Sequence, residues 1–517
     1  MSWQKEVDEL RRREELAKAL GGEERIAKHH SQGKYTVRER IDYLLDAGSF
    51  HELGTLAGKA TYKDGQLADF RPGNFLFGTG RINGQKVVVG ADDFTVRGGA
   101  ADGAVLGKQE YSEKMAHELQ LPLIRLVDGT GGGGSVKMLD DTGYPYVPVN
   151  PAWDYVVKNM ATIPVVAACL GSVAGLGAAR VAASHFSVMV EDTSQLFVAG
   201  PPIVKPGLGE DVTKEELGGV QVHKSSGAID NIASSEEEAF EQIKKFLNYL
   251  PPNVWKLPPV TETMDTANRK EEALLSAIPR NRKKPYKIRE ILPMIFDHDS
   301  IFEIGRFFGG GTVTGLARLN GYPVGFLASD PFIGGGALTA ESCEKMERFV
   351  DLCQTFHLPI VNLVDQPGMS IGLHSEKKGT IRKGVRAISA IYQTNVPMIE
   401  IILRRVFGVG GAGMTNGHGI NKRYAWPSGD WGSLPIEGGI QVAYRRELSE
   451  SDNPKALMDT LLEKMESMRS PFLTAEAFGI EEIIDPRDTR PLLCEWVEDA
   501  YALLPQQLGY SLHSMRP

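Results

Sequence analysis

Cysteine is scarce: the chain has four, Cys169, Cys343, Cys353 and Cys494, and none stands in a C-x-x-C pair. That spacing excludes a zinc ribbon of the usual kind and supplies no disulfide framework, which fits a reducing compartment. No metal is expected on this chain. Long apolar runs are also missing. The longest mostly apolar stretch, Ile163 to Ala179, is glycine-rich and falls short of the roughly 20 residues a membrane span needs. It reads as a buried strand, turn and helix. Positive charge is not in excess, since 57 Lys plus Arg face 66 Asp plus Glu for a net charge of -9. Nucleic acid and an anionic membrane are therefore not the expected partners. Met1 to Arg13 carries charges of both signs without an apolar core, so no signal peptide is visible and a cytoplasmic location is expected. Also absent are H-E-x-x-H and a Walker loop. His223, His374 and His418 are the candidate bases, each in a polar setting typical of surface histidines.

What the chain does contain is a second, diverged copy of itself in fixed register. Gly80-Arg-Ile-Asn-Gly84 returns 237 positions later as Ala317-Arg-Leu-Asn-Gly321. Asn83 precedes Asp128 by 45 positions, as Asn320 precedes Asp365, and Leu121-Pro-Leu-Ile-Arg-Leu-Val-Asp128 answers Leu358-Pro-Ile-Val-Asn-Leu-Val-Asp365. Arg38-Glu39 leads to Gly54 in 16 steps, as Arg289-Glu290 leads to Gly305. At 517 residues the length allows two to four domains, and the repeat selects two. Two related domains imply two related sites with complementary tasks. Pro251, Pro252, Pro258 and Pro259, followed by a polar stretch, interrupt regular structure between the copies. The expected division is a domain over 1–255, a linker over 256–284 and a domain over 285–517.

Short apolar strands alternate with helices, the pattern of an α/β fold. The strands predicted in the first half are Lys86–Gly90, Leu123–Val127, Pro164–Cys169, Ser187–Val190 and Leu196–Val198, with a helix over 103–119. The second half echoes them in Val324–Ala328, Ile360–Val364 and Met398–Leu403, with a helix over Ala340–Phe356. Residues 1–30 read as a charged helical arm, either solvated or lying along a neighbouring subunit.

Glycine-rich segments follow the buried strands: Gly129-Thr-Gly-Gly-Gly-Gly-Ser135, Gly171-Ser-Val-Ala-Gly-Leu-Gly177 and Phe407-Gly-Val-Gly-Gly-Ala-Gly-Met414. Such backbone can aim successive N–H groups at one developing oxyanion; close helix packing or a tight turn is the structural alternative. The last segment satisfies G-x-G-x-x-G, but the acidic residue ending a second strand about 20 residues on is missing, and Gly417 to Trp431 reads as loop. A dinucleotide site is therefore rejected. The chain offers backbone donors without an evident protein base, which suits a base that arrives with a substrate or cofactor.

Further stretches are Thr36-Val-Arg-Glu-Arg-Ile-Asp-Tyr-Leu-Leu-Asp-Ala-Gly-Ser-Phe50, Asp93-Phe-Thr-Val-Arg-Gly-Gly99, Phe197-Val-Ala-Gly-Pro201, Glu215-Glu-Leu-Gly-Gly219 with His223, Asn362-Leu-Val-Asp-Gln-Pro-Gly368 and Tyr424-Ala-Trp-Pro427. Through these, over nearly its whole length, the chain resembles the carboxyltransferase (β) subunits of biotin-dependent acyl-CoA carboxylases. The resemblance implies two tandem crotonase-like (ClpP-type) β-β-α superhelix domains, the first holding acyl-CoA and the second carboxybiotin. It implies a homo-hexameric core within an α6β6-type assembly, the site being shared between subunits. The thioester oxygen would face the amides of Gly175, Leu176 and Gly177, where Leu176 replaces one glycine of the family's Gly-Gly pair. Val409 and Gly410 would face the biotin urea oxygen, with Phe407, Gly408, Gly411 and Ala412 around the cofactor. Phe94, Gly98, Gly99, Gly131, Gly132 and Gly133 would line the acyl-CoA site.

The implied reaction moves a carboxyl group from carboxybiotin to the α- or γ-carbon of an acyl-CoA through a thioester enolate, the biotin supplying the base. Biotin must come on a separate carrier, because Lys114, Lys137, Lys345 and Lys464 all lack the Met-Lys-Met setting of a biotinyl lysine. A biotin carboxylase/biotin carrier (α) subunit is the implied partner. Ala412 stands where the propionyl type has Asp, which with the enlarged 128–135 segment suggests a pocket for a longer or branched acyl chain. Three alternatives remain open: a decarboxylase or transcarboxylase subunit using the same site, a biotin-free crotonase-type hydratase or isomerase, and a non-catalytic assembly partner.

Overall fold

The computed structural model describes residues 2–100, 103–129, 143–145, 147, 149–150, 152–416 and 422–516, the side chain of Leu106 excepted. Two compact units emerge, Met1–Lys256 with Met515–Pro517, and Leu257–Ser514. In the first, a seven-stranded sheet runs in the order His51–Leu53, Phe75–Ile82, Gln85–Asp92, Leu123–Val127, Val165–Cys169, Phe186–Val190, Asn231–Ala233. The first three strands are antiparallel and the rest parallel. Leu123–Val127, Val165–Cys169 and Phe186–Val190 are buried throughout, as continuous apolar strands covered on both faces should be. A small parallel pair, Ser172–Ala174 with Gln195–Phe197, stands apart from this sheet.

The second unit repeats the plan in an eight-stranded sheet: Phe302–Ile304, Thr312–Leu319, Tyr322–Ser329, Ile360–Gln366, Met398–Phe407, Lys422–Ala425 and Glu482–Ile483, with Asp430–Gly432 paired to the end of Met398–Phe407. That last pairing is the counterpart of the small pair in the first unit. The repeated Asn-Gly is the hairpin turn: Asn83 and Gly84 have φ of 50° and 80°, Asn320 and Gly321 49° and 83°. Positive φ at both central positions matches the twist of the flanking strands. The Asp46 carboxylate accepts both N–H groups of the first turn, and Asp297 both of the second.

Three expectations change. The stretch expected as loop, Gly417 to Trp431, contains the strand Lys422–Ala425 and the start of Asp430–Gly432, with 417–421 outside the described residues. The 256–284 segment packs on the second unit's core, where Leu274 is 1% exposed and Leu257, Ala267, Ala277 and Ile278 lie against the same cluster. The N-terminal arm is two helices, Gln4–Lys18 and Glu23–His30, and the first buries Ala17 against Leu67 and Phe70 of the hairpin Gly58–Lys63/Gln66–Pro72. Trp426 of the Tyr424–Pro427 motif is a core residue whose indole N–H donates to Thr489 Oγ1 at 2.9 Å.

Candidate active site

In the first unit, glycines from three connections meet beyond the C-terminal ends of the parallel strands. A Cβ on Gly99 would fall 2.6 Å from Gly129 Cα, and one on Gly177 would lie 3.6 Å from Gly129 O. Gly175 has φ 59° and ψ -122°, a conformation L-residues avoid, although space around it is open. It turns the chain from the strand Ser172–Ala174 into the helix Leu176–Ala182. The Gly175 N–H donates to Phe197 O at 3.3 Å, continuing the small pair's ladder. Gly175 is thus the hinge of the turn and not a free donor, a correction to the sequence expectation. The N–H groups of Leu176, Gly177 and Ala178 have no acceptor among the described residues, as first-turn amides lack helical partners.

The second unit builds the same feature. Met398–Phe407 leads into a short helix, Gly408–Ala412, through Gly408 at φ 59°. The N–H groups of Val409 and Gly410 have no acceptor among the described residues. A Cβ on Gly410 would lie 3.0 Å from Gly368 C and Met369 N, and one on Gly411 2.7 Å from Val406 C. Both glycines are required by backbone approaching backbone. Val409 is 63% exposed and Ala412 is exposed, whereas Phe407 is 3% exposed. The Phe407 ring is therefore core, and only its backbone borders the turn.

Behind each turn lies a buried aspartate. Asp128, fully buried, takes Arg40 Nη1 at 2.8 Å and Lys34 Nζ at 3.5 Å. Arg40 also grips Glu236 with two bonds of 2.7 Å. His29 lies 3.8 Å from Asp128, but burial outweighs that attraction and lowers its pKa to about 4, so the imidazole is neutral near pH 7. Asp365 accepts Arg405 Nε at 2.5 Å and Arg404 Nη2 at 2.8 Å. Burial pulls this carboxyl up, but the two guanidiniums outweigh it and hold it below the usual range. Gly171 has a packing role, since a Cβ there would overlap the Asp128 carboxylate at 1.8 Å. The strand-end side chains differ: Asp92 Oδ2 accepts the Asp128 N–H at 3.2 Å, and Ser329 Oγ accepts that of Asp365 at 3.3 Å. Burial pushes the Asp92 carboxyl up to about 6.

A cleft of ≈ 340 Å³ opens beside the first unit's Gly98, lined by Arg25, Lys28, Gln32, Phe94 and Arg97 among others. Arg97 has φ 58° where the second copy has Gly334 at 57°. An L-residue in this conformation is strained by about 1–2 kcal/mol, and such strain concentrates at functional positions. Phe94 stacks on His29 at 5.9 Å, with Lys34 Nζ 5.5 Å from the Phe94 ring centroid.

Not every candidate joins these sites. Gly131, Gly132, Gly133 and His418 lie outside the described residues. His223 is tied through Nε2 to Leu196 O at 2.8 Å and through Nδ1 to Ser226 Oγ at 3.1 Å, pinning the small pair. His374 is exposed on the short helix Leu373–Lys377. No cluster of three metal-ligating side chains occurs among the described residues, and no described helix is long and apolar enough to cross a membrane. Arg25, Lys28 and the clamp of Arg404 and Arg405 were not anticipated. The adjacent arginines just before Phe407 were the one available signal.

Tandem sheets that each end in a glycine turn with unspent amides define a two-domain protein of the crotonase class. Residues 28–502 match the carboxyl transferase domain, and the chain belongs to that family. It is 34% identical over 494 residues to a propionyl-CoA carboxylase carboxyltransferase subunit of Haloferax mediterranei, covering 95% of each chain. It is 31% identical over 493 residues to the alpha subunit of methylmalonyl-CoA decarboxylase of Veillonella parvula, covering 94% of each. Among solved structures it is similar to the hexameric transcarboxylase 12S core with methylmalonyl-CoA bound, at TM-score 0.87 and 30% identity over 97% of each chain.

Proposed function

We propose that this chain is the carboxyltransferase subunit of a biotin-dependent acyl-CoA carboxylase, moving a carboxyl group from a carrier-borne biotin to an acyl-CoA. The observation that carries this is the duplicated turn: first-turn amides without an acceptor among the described residues at Leu176–Ala178 and again at Val409 and Gly410. Carboxyl transfer to a thioester develops negative charge on two oxygens, one on each reactant, and each needs a preorganised donor set. The amides of Leu176 and Gly177 hold the thioester oxygen, and those of Val409 and Gly410 hold the biotin urea oxygen. The second turn fits a flat ureido group, because glycine at 408, 410 and 411 leaves backbone without side-chain cover. Bound carboxybiotin supplies both the CO2 and the base for the acyl α-proton. Everything else asked of the chain is holding, orienting and excluding water, for which no protein nucleophile is needed.

The basic cleft of Arg25, Lys28 and Arg97 suits the phosphate-bearing end of CoA, with Phe94 beside it. Large exposed apolar residues flank both turns: Val198 at 95%, Ile203 at 62%, Val409 at 63% and Leu434 at 55%. Cover from neighbouring copies in a homo-hexamer, joined by an α partner carrying biotin, accounts for them. Relatives named for propionyl- and methylmalonyl-CoA point to acyl groups of that size, and the small Ala412 leaves room for larger ones. The decarboxylating relative favours a second reading in which the same site runs from carboxylated acyl-CoA to biotin. The partner then decides the direction, ATP-dependent carboxylase or membrane pump.

The test supplies purified chain with a carboxybiotin donor and labelled acetyl-, propionyl-, methylcrotonyl- and longer acyl-CoAs. Carboxylated product from propionyl-CoA or a larger acyl-CoA is expected. A sharp preference for acetyl-CoA rejects the enlarged pocket; hydration or isomerisation without biotin rejects the assignment itself.

A further inference from the structure

The second unit has a cavity at the opposite end of its sheet from the glycine turn. It is ≈ 440 Å³, a size that accommodates a small molecule, and it lies where Gln354 and His357 precede the strand Ile360–Gln366 and Asn395 precedes Met398–Phe407. Residues from Leu503 to Leu512 close its other side. The strand from Met398 to Phe407 has 10 residues, which puts this cavity on the order of 30 Å from the turn.

Two properties set it apart. Its described lining contains no Lys, Arg, Asp or Glu, and side-chain amides dominate instead: Gln354, Asn395, Gln506 and Gln507. Two of these amides are unsatisfied where they are buried. Gln354 is 3% exposed, yet its Nε2 has no hydrogen-bond partner among the described residues, and neither has the buried Oε1 of Gln507. Buried polar atoms are nearly always paired, so an unpaired donor and an unpaired acceptor bordering one cavity call for an occupant that returns both. Turning the Gln354 amide over exchanges donor for acceptor but still leaves half of it to a ligand. The absence of charge in the lining disfavours an ion, which would lose its hydration without a counter-charge. Tyr510 and Leu503 add flat and apolar contact.

We propose that this cavity binds a small uncharged molecule bearing an amide or imide group, with Gln354 and Gln507 as its polar contacts. This lies outside the carboxyl-transfer site and does not depend on that assignment.

The test titrates the full chain with uracil, 2-pyridone and glutarimide, read by saturation-transfer NMR, with phosphate and acetate as charged controls. At least one neutral probe should bind saturably in the millimolar range or tighter. Gln354→Leu should weaken it about tenfold or more, the loss of one net hydrogen bond. Gln507→Met, on the outer turn, should do the same and serves if Gln354→Leu misfolds. No saturable binding of any neutral probe (water being the sole occupant), equal affinity in the variants, or displacement by the anions overturns the proposal.

Discussion

The aspartates ending equivalent strands in the two units face the same problem and solve it differently. Asp128 draws its counter-charges from far away in sequence: Arg40 from the helix Val37–Leu44 and Lys34 from the segment before it. Asp365 takes Arg404 and Arg405 from the neighbouring strand, two and three residues before Phe407 gives way to Gly408. The first clamp ties the N-terminal helices to the sheet, leaving the turn at Gly175 to be set by the Phe197 ladder bond. The second clamp grips the very strand that presents the turn. Duplication therefore preserved the demand for a buried, paired carboxylate and left its partners free to diverge. Where that freedom was used, the sites became distinct: Asp92 against Ser329, and strained Arg97 against Gly334.

The largest expected contrast is at the turns. Gly410→Ala places a methyl 3.0 Å from the backbone of Gly368 and Met369, which cannot swing aside. Displacing that donor should cost about 100-fold or more in carboxyl-transfer rate. Gly177→Ala meets Val173 Cγ1 at 3.1 Å and otherwise ordinary contacts, so repacking should limit its loss to roughly tenfold. Steady-state assays with carboxybiotin donor compare the pair; equal losses would erase the distinction.

Next come the clamps. Arg40→Met strands Glu236 in the interior and leaves Asp128 with Lys34 alone, at ~3–5 kcal/mol. Arg405→Met leaves Asp365 with Arg404 and should cost only about 1–2 kcal/mol. Hydrogen exchange in Leu123–Val127 and Ile360–Gln366 reads each unit separately, and a larger loss for Arg405→Met would invert the account.

A further difference is a pH dependence carried by the second unit. Glu400 is buried with Oε1 unpaired among the described residues, and burial, only partly offset by Arg423, raises its pKa to about 7 from 4.5. A carboxyl with a raised folded pKa favours the fold when protonated. That stability is fully present below pH 4.5 and is lost as pH rises to about 7. Glu400→Gln should therefore be neutral in acid and stabilising above pH 7, by up to ~3 kcal/mol. Denaturant midpoints at two pH values check the sign.

Much of this was legible in the sequence because the repeat is local in character. An Asn-Gly hairpin, an apolar strand and an Asp spaced alike in both halves declare two copies of one sheet, and the glycine runs declare its C-terminal edge. What escaped depends on distant partners. Gly175 looked like a donor because nothing local reveals that Phe197 accepts its N–H. The strand Lys422–Ala425 is short and charged and hides among turn residues. Arg25 and Phe94 border one cleft although 69 positions separate them.

The two-cradle account is tested most directly by deleting single amides with proline at first-turn positions, where the helix makes no use of the N–H and proline is tolerated. Leu176→Pro and Val409→Pro, each confirmed as folded, are assayed for carboxyl transfer at saturating acyl-CoA and donor. Both should lose about 100- to 1000-fold in kcat. Rates within a few-fold of the parent chain in either variant would contradict the account.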